Sequence, residues 1–228
     1  MEKLHLVNLI LHVLAGSIAL LTGFAAIFVR KGLGKHVLFG KYFTVMIVVV
    51  IATGLFGLII FNRNSFLLII TFLSGYNCYS GIRSLKLRGQ KPVFLDYTIS
   101  ILVVISAVYY IYYLNYRGLY WSPGIIYSTL SALFLVTGYD ICKWFMHINF
   151  LKKAMLYEHA YKMISALSAI TSAFSGTVFS DYKPYSQFLP SVAGMIYIII
   201  TFILLSKKSF IFNTKTIVQQ TNQDTFRA

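Results

Sequence analysis

The sequence predicts an all-α, polytopic transmembrane bundle of about seven spans, and three observations carry that reading. Of the 228 residues, 58% are hydrophobic and only 11% are charged, where a soluble domain carries about 25% charged residues. Apolar runs of bilayer-crossing length, roughly 20 residues, recur along the chain. Lys and Arg collect in alternate segments between those runs. Mean hydropathy is +0.74. A water-soluble core could not hide that much apolar surface, so the solvent for most of this chain is itself apolar.

The runs predict spans over roughly 4–29, 37–61, 65–85, 94–114, 123–145, 157–179 and 188–205. The first run is too long for the apolar region of a signal peptide and reads as a retained span. The third carries Asn77 and two glycines. Residues 1–212 then form one transmembrane domain, and residues 213–228, rich in Thr, Gln and Asn, a polar tail expected to be disordered.

Charge tests the count. One set of alternate segments holds sixteen of the 20 Lys and Arg, in the stretches 30–41, 83–91 and 143–162 and from Lys207 onward. The other set holds only Lys3, Arg63, Arg117 and Lys183. The positive-inside rule therefore predicts an outer N-terminus and a cytoplasmic C-terminus. The formal net charge of +14 sits in short clusters, not in a stripe. That excludes a nucleic-acid partner and points to topology and anionic lipid head groups. Tyr109, Tyr110, Tyr112, Tyr113, Tyr116, Tyr120, Trp121, Tyr182 and Tyr185 read as an outer interfacial belt. Cys78 and Cys142 fall in apolar runs and read as small buried hydrophobes.

Polar residues at membrane depth are costly and mark candidate sites. In the first span His5, Asn8, His12, Gly16, Ala19 and Gly23 share one helix face. The small members invite a close neighbour, and His12 reads chiefly as a hydrogen-bonding histidine across that interface. A second group collects near the cytoplasmic boundary: His36, Asn77, Asp96, Asp140, His147, Glu158 and His159. Leu21-Thr22-Gly23-Phe24 and Val136-Thr137-Gly138-Tyr139 echo each other, each followed by a basic segment and then His36 or His159. A duplication would make those histidines pseudo-equivalent.

Several chemistries fit these residues. His36 and His159, on two helices of one bundle, suit the axial ligation of haem b; the bland alternative is hydrogen bonding to loop carbonyls. Asp140, an acid within a span, suits a proton relay or a transport pathway together with His12, or a simple pair with Lys143. Asp140, His147, Glu158 and His159 match no compact metal-ligand motif. The row Ser165, Ser168, Ser172 and Ser175 reads as an interhelical packing and hydrogen-bonding seam. A phosphate-binding glycine loop and a His-Glu-x-x-His motif are both missing.

Taken in order, several motifs look alike as a set: His12-Val-Leu-Ala-Gly16-Ser-Ile-Ala-Leu20-Leu-Thr-Gly23, Lys31-Gly32, His36-Val-Leu-Phe-Gly40, and Ser80-Gly81-Ile-Arg83-Ser-Leu85 followed by Asp96. His159-Ala-Tyr-Lys-Met163, Thr171-Ser-Ala-Phe174 and Leu189-Pro190 with Gly194 complete it. Across nearly the whole chain this resembles a bacterial family of predicted multipass membrane proteins whose function is not established. The family usually places Arg where Lys162 stands. The resemblance implies a bacterial inner-membrane location and singles out His12, His36, Arg83, Asp96 and His159. The expectations are thus a redox-type membrane protein with a haem or quinone site near the cytoplasmic boundary, a transporter or proton relay, or a subunit or assembly partner of a membrane complex.

Overall fold

The computed structural model describes residues 1–32, 34–61, 66–117 and 123–206. Among them the chain forms seven α-helices and no strand. They are α1 (Glu2–Phe28), α2 (Gly34–Phe61), α3 (Phe66–Lys86), α4 (Phe94–Arg117), α5 (Pro123–Cys142), α6 (Ile148–Val178) and α7 (Tyr185–Ser206). Each predicted span finds its helix. The largest departure is α6, which starts nine residues ahead of the expected 157. Its 31 residues run about 46 Å at 1.5 Å per residue, longer than a hydrocarbon core of about 30 Å. The Arg63, Tyr120 and Trp121 expectations, the C-terminal cations and the 213–228 tail lie outside the described residues.

Five helices, α1, α2, α4, α5 and α7, are long and apolar enough to cross a membrane. The other two, α3 and α6, are the central ones. α3 touches α2, α4, α5 and α6, and α6 touches α1, α3 and α7. Their lower hydropathy follows from that position: they bury polar side chains such as Asn77, Ser80, Glu158, Lys162 and Ser172 against each other and their neighbours. The outer helices turn apolar side chains outward. Leu21, Ile59 and Leu135 are each more than 70% exposed. An outside this apolar, around an inside this polar, suits a membrane-embedded protein.

Two apolar clusters hold the bundle. One joins Ala19 of α1, Phe43 and Ile47 of α2, Cys78 of α3, and Ala166 and Leu167 of α6. The other joins Ile69 and Ile70 of α3, Ala107 and Tyr110 of α4, Leu130 and Leu133 of α5, and Ala169 of α6. Lipid tails are as apolar as leucine, so contacts this close depend on packing and small residues. At Gly23 an added Cβ would stand 2.7 Å from Leu167 and 2.9 Å from Phe43. The serine seam joins α6 to α7: Ser172 Oγ lies 3.0 Å from Ser191 Oγ, and Ser175 Oγ donates to the Ser186 carbonyl at 2.5 Å. Gly89, at φ +77°, turns the chain from α3 toward α4. It brings that turn so close to α6 that a Cβ there would stand 2.5 Å from Lys152 Cα.

Three readings of single residues need correction. Tyr110 is 2% exposed and belongs to the core, whereas Tyr109, Tyr112, Tyr116, Tyr182 and Tyr185 face outward; on a helix, Tyr110 points away from the lipid side that Tyr109 and Tyr112 share. Cys142 is exposed at the end of α5, and only Cys78 is buried. The echo of Gly23 and Gly138 is not an equivalence of environment. Gly23 is tightly packed, and a Cβ at Gly138 would meet nothing within 4 Å.

Candidate functional site

The α1–α2 hairpin carries the first-helix stripe. Asn8 Nδ2 donates to the Thr53 carbonyl at 3.1 Å. His12 Nδ1 lies 2.9 Å from Thr53 Oγ1. The Thr53 hydroxyl donates to Val49, so His12 is the donor in that pair. His5 stacks on Phe61 at 4.8 Å. His12 is fourteen residues along α1 from Ala26, where His36 is bonded, a rise of about 21 Å. It therefore lies well along the bundle from the remaining candidates, toward the middle of α1, and does not join them.

At the near end stand His36 of α2 and His159 of α6. Their ring centres are 6.5 Å apart and their planes cross at 81°. His36 Nδ1 donates to the Ala26 carbonyl at 3.0 Å, and His159 Nδ1 to the Gly81 carbonyl at 2.9 Å. A carbonyl only accepts, so both rings carry a proton on Nδ1, which in the neutral ring leaves the lone pair on Nε2. Lys31 Nζ also donates to the carbonyls of Ala26 and Ile27, capping the end of α1. Partial burial lowers the Lys31 amine from its ordinary value. One turn beyond His36, a Cβ on Gly40 would meet nothing within 4 Å.

Beside this pair lies a buried ionic group. Asp140 Oδ1 receives Lys143 at 2.8 Å and Lys162 at 2.6 Å. Its Oδ2 receives Tyr76 at 2.8 Å and also Ser80. Glu158 binds Lys143 through Oε2 and the Tyr139 hydroxyl through Oε1 at 2.8 Å. Lys162 also donates to Ser80 Oγ at 2.7 Å. All four charged residues are 8% exposed or less. Two ammoniums balance two carboxylates, which is how buried charge is tolerated.

A second pair closes the α3–α4 turn. Arg83 holds Asp96 in a bidentate grip, Nε to Oδ1 at 2.6 Å and Nη2 to Oδ2 at 2.8 Å. Tyr79 and the Val93 amide complete the Asp96 carboxylate at 2.8 and 3.1 Å. A narrow, half-open cleft lies between the two ion-pair groups, lined among others by Tyr76, Ser80, Arg83, Asp96, Asp140 and Lys143.

The remaining candidates fall elsewhere. His147 is exposed and is the N-cap of α6, its ring nitrogen accepting the Asn149 amide at 3.3 Å; it touches none of the acids. Asn77 is wholly buried with both amide atoms unpaired. Among the described residues no group of three or more His, Cys, Asp or Glu is placed to hold a metal ion. Tyr76, Tyr79, Tyr139, Ser80 and Lys162 were not singled out as site residues from sequence. Lys162 counts there as a loop cation, yet it is 1% exposed inside α6. Its signal is the spacing from Glu158, one turn along one helix. No protein-family profile, curated protein or solved structure matches the chain.

Proposed function

We propose that the chain is a seven-span bacterial inner-membrane protein of redox type that binds haem b between His36 and His159, near the cytoplasmic boundary. One observation carries this reading: two imidazoles with ring centres 6.5 Å apart, each fixed through Nδ1 by a backbone carbonyl of a neighbouring helix. Metal–nitrogen bonds of about 2.0 Å on both sides, with the two ring radii, put the centres roughly 6 Å apart. A carbonyl on Nδ1 is the usual second partner of a metal-bound histidine, since it selects the tautomer and orients the ring.

The number of ligands favours haem over a bare ion. A bare zinc or iron site takes three or four protein donors, and no third His, Cys, Asp or Glu joins the pair among the described residues. Haem iron brings four donors of its own and asks the protein for two. The open side of α2 at Gly40 gives a flat macrocycle an approach beside His36. The chain's part in this chemistry is to hold two nitrogens in place and keep the site at the edge of the apolar core.

An absorption spectrum of the detergent-purified protein tests the reading. A Soret band and a reduced α-band are expected in the wild type, and both should be lost in His36→Ala and His159→Ala. A protein that stays colourless after reconstitution with haemin ends the proposal.

A transport or proton-relay reading has one observation in its favour, the cleft that reaches Asp140. Against it, four donors already fill the Asp140 carboxylate, and His12 bonds only within the α1–α2 hairpin, away from that group.

A further inference from the structure

Pro190 stands inside α7, in its second turn. A proline has no amide hydrogen, and its ring crowds the carbonyl four residues back. The Ser186 carbonyl therefore lacks its usual partner in its own helix. In an apolar solvent an unpaired carbonyl is costly, and serine side chains are one means of satisfying it. Ser175 of α6 does so here. Its Oγ donates to the Ser186 carbonyl at 2.5 Å, whereas the Ser172 carbonyl of its own helix is 3.4 Å away. A hydroxyl has one hydrogen, and the shorter contact takes it.

Two further observations make this bond a point of control. The first is that α7 packs chiefly on α6, and Tyr185, Phe188 and Leu189, on the near side of the proline, are exposed. That end of α7 can move without unpacking the rest of the bundle. The second is that Ser186 Oγ and Gln187 Oε1 are buried there with no hydrogen-bond partner among the described residues. The seated arrangement thus carries an unmet polar cost, which a move outward to water or head groups relieves. After the proline the seat is firmer. Ser172 Oγ meets Ser191 Oγ at 3.0 Å, and a Cβ at Gly194 would press on Ser168.

We propose that Pro190 is a hinge in α7 and Ser175 the latch that holds it. While the Ser175 hydroxyl stands in for the missing amide, residues 185–189 lie against α6. When that bond breaks they swing out and open this end of the α6–α7 seam. Ser175 is sixteen residues along α6 from His159, a rise of about 24 Å, so the latch does not depend on whether His36 and His159 hold haem.

Backbone hydrogen exchange of the full chain in detergent, read by mass spectrometry, tests the latch. Ser175→Ala removes the hydroxyl. Pro190→Ala gives α7 its own amide for the Ser186 carbonyl, so the hydroxyl is no longer needed. Ser172→Ala breaks the neighbouring seam bond and serves as the control. Ser175→Ala should speed exchange at residues 185–189 about tenfold when Pro190 is present and about twofold or less in the Pro190→Ala chain. Exchange in α3 should stay unchanged, and Ser172→Ala should act equally in both chains. Equal acceleration by Ser175→Ala in both chains would make Ser175 a packing residue. Acceleration that spreads to α3 would make the seam a brace of the whole bundle, and no acceleration would leave the carbonyl unlatched. Each of these three results overturns the proposal.

Discussion

Lys162 Nζ stands 2.6 Å from Asp140 Oδ1 and ties α6 to α5, although neither residue is near the other in sequence. Removing one member of a buried pair leaves its partner charged in a poor solvent, at a cost of about 3–5 kcal/mol. Lys162→Met and Asp140→Leu are each expected to destabilise by that amount in denaturant titrations of the detergent-solubilised protein. The double variant should recover most of the loss, because the charge left stranded in each single variant is gone. Strict additivity would mean that neutralising Asp140 is not what Lys162 does. Lys162→Arg keeps the charge and should lose far less than Lys162→Met.

The helices and the local Asp140–Lys143 pair were legible in sequence, and the rest of the ionic group was not, for one physical reason. A span is a local property: about 20 apolar residues, or a boundary cluster of Lys and Arg, can be read without knowing the neighbours. Lys143 is three residues from Asp140, but its other partners come from two other helices, Tyr76 and Ser80 on α3 and Lys162 on α6. Nothing in the chain near Asp140 announces those three. His36 and His159 were legible as residue types at span ends, but their approach depends on α2 and α6 meeting at one end of the bundle. His147 shows the opposite case. A histidine just ahead of a helix reads as a site residue beside acids, yet its position as first residue outside α6 makes it a cap.

The packing of α1 gives a sharp contrast between two glycines. A Cβ at Gly23 would press on Leu167 and Phe43 at under 3 Å, while one at Gly138 meets nothing within 4 Å. Gly23→Ala is therefore expected to destabilise by about 1–3 kcal/mol through overpacking. Gly138→Ala should be neutral or gain up to about 1 kcal/mol from helix propensity. Paired unfolding midpoints in one detergent measure both. Equal effects at the two sites would contradict the close seat of α1 on α2 and α6.

If His36 and His159 hold haem iron as proposed, their crossed planes predict its spectrum. Parallel axial rings donate along one direction and split the two iron d orbitals that point between the ligands. Rings at 81° donate along both directions and leave those orbitals nearly equal in energy. The ferric protein should then give a strongly anisotropic low-spin resonance, not the rhombic signal of parallel rings. His159→Gly should lose that signal and regain a low-spin form when free imidazole is added. A rhombic signal in the wild type would show that the rings turn when they bind iron, and a variant indifferent to imidazole would remove His159 as a ligand.

The direction in which the bundle is threaded decides which compartment this end of it faces. Lys3 stands in the first turn of α1 and Lys153 in the first turns of α6, and both are exposed. On the proposed seven-span threading, α1 to α5 make five crossings between them, which would put the two positions on opposite sides with Lys153 cytoplasmic. Single cysteines at each position, in a background with Cys142 replaced by serine, can be probed in intact spheroplasts with a membrane-impermeant maleimide. Lys3→Cys should label directly and Lys153→Cys only after lysis. Labelling of both from outside would mean that one of the five helices does not cross. The reverse pattern would keep the crossings but turn His36 and His159 to the outer surface.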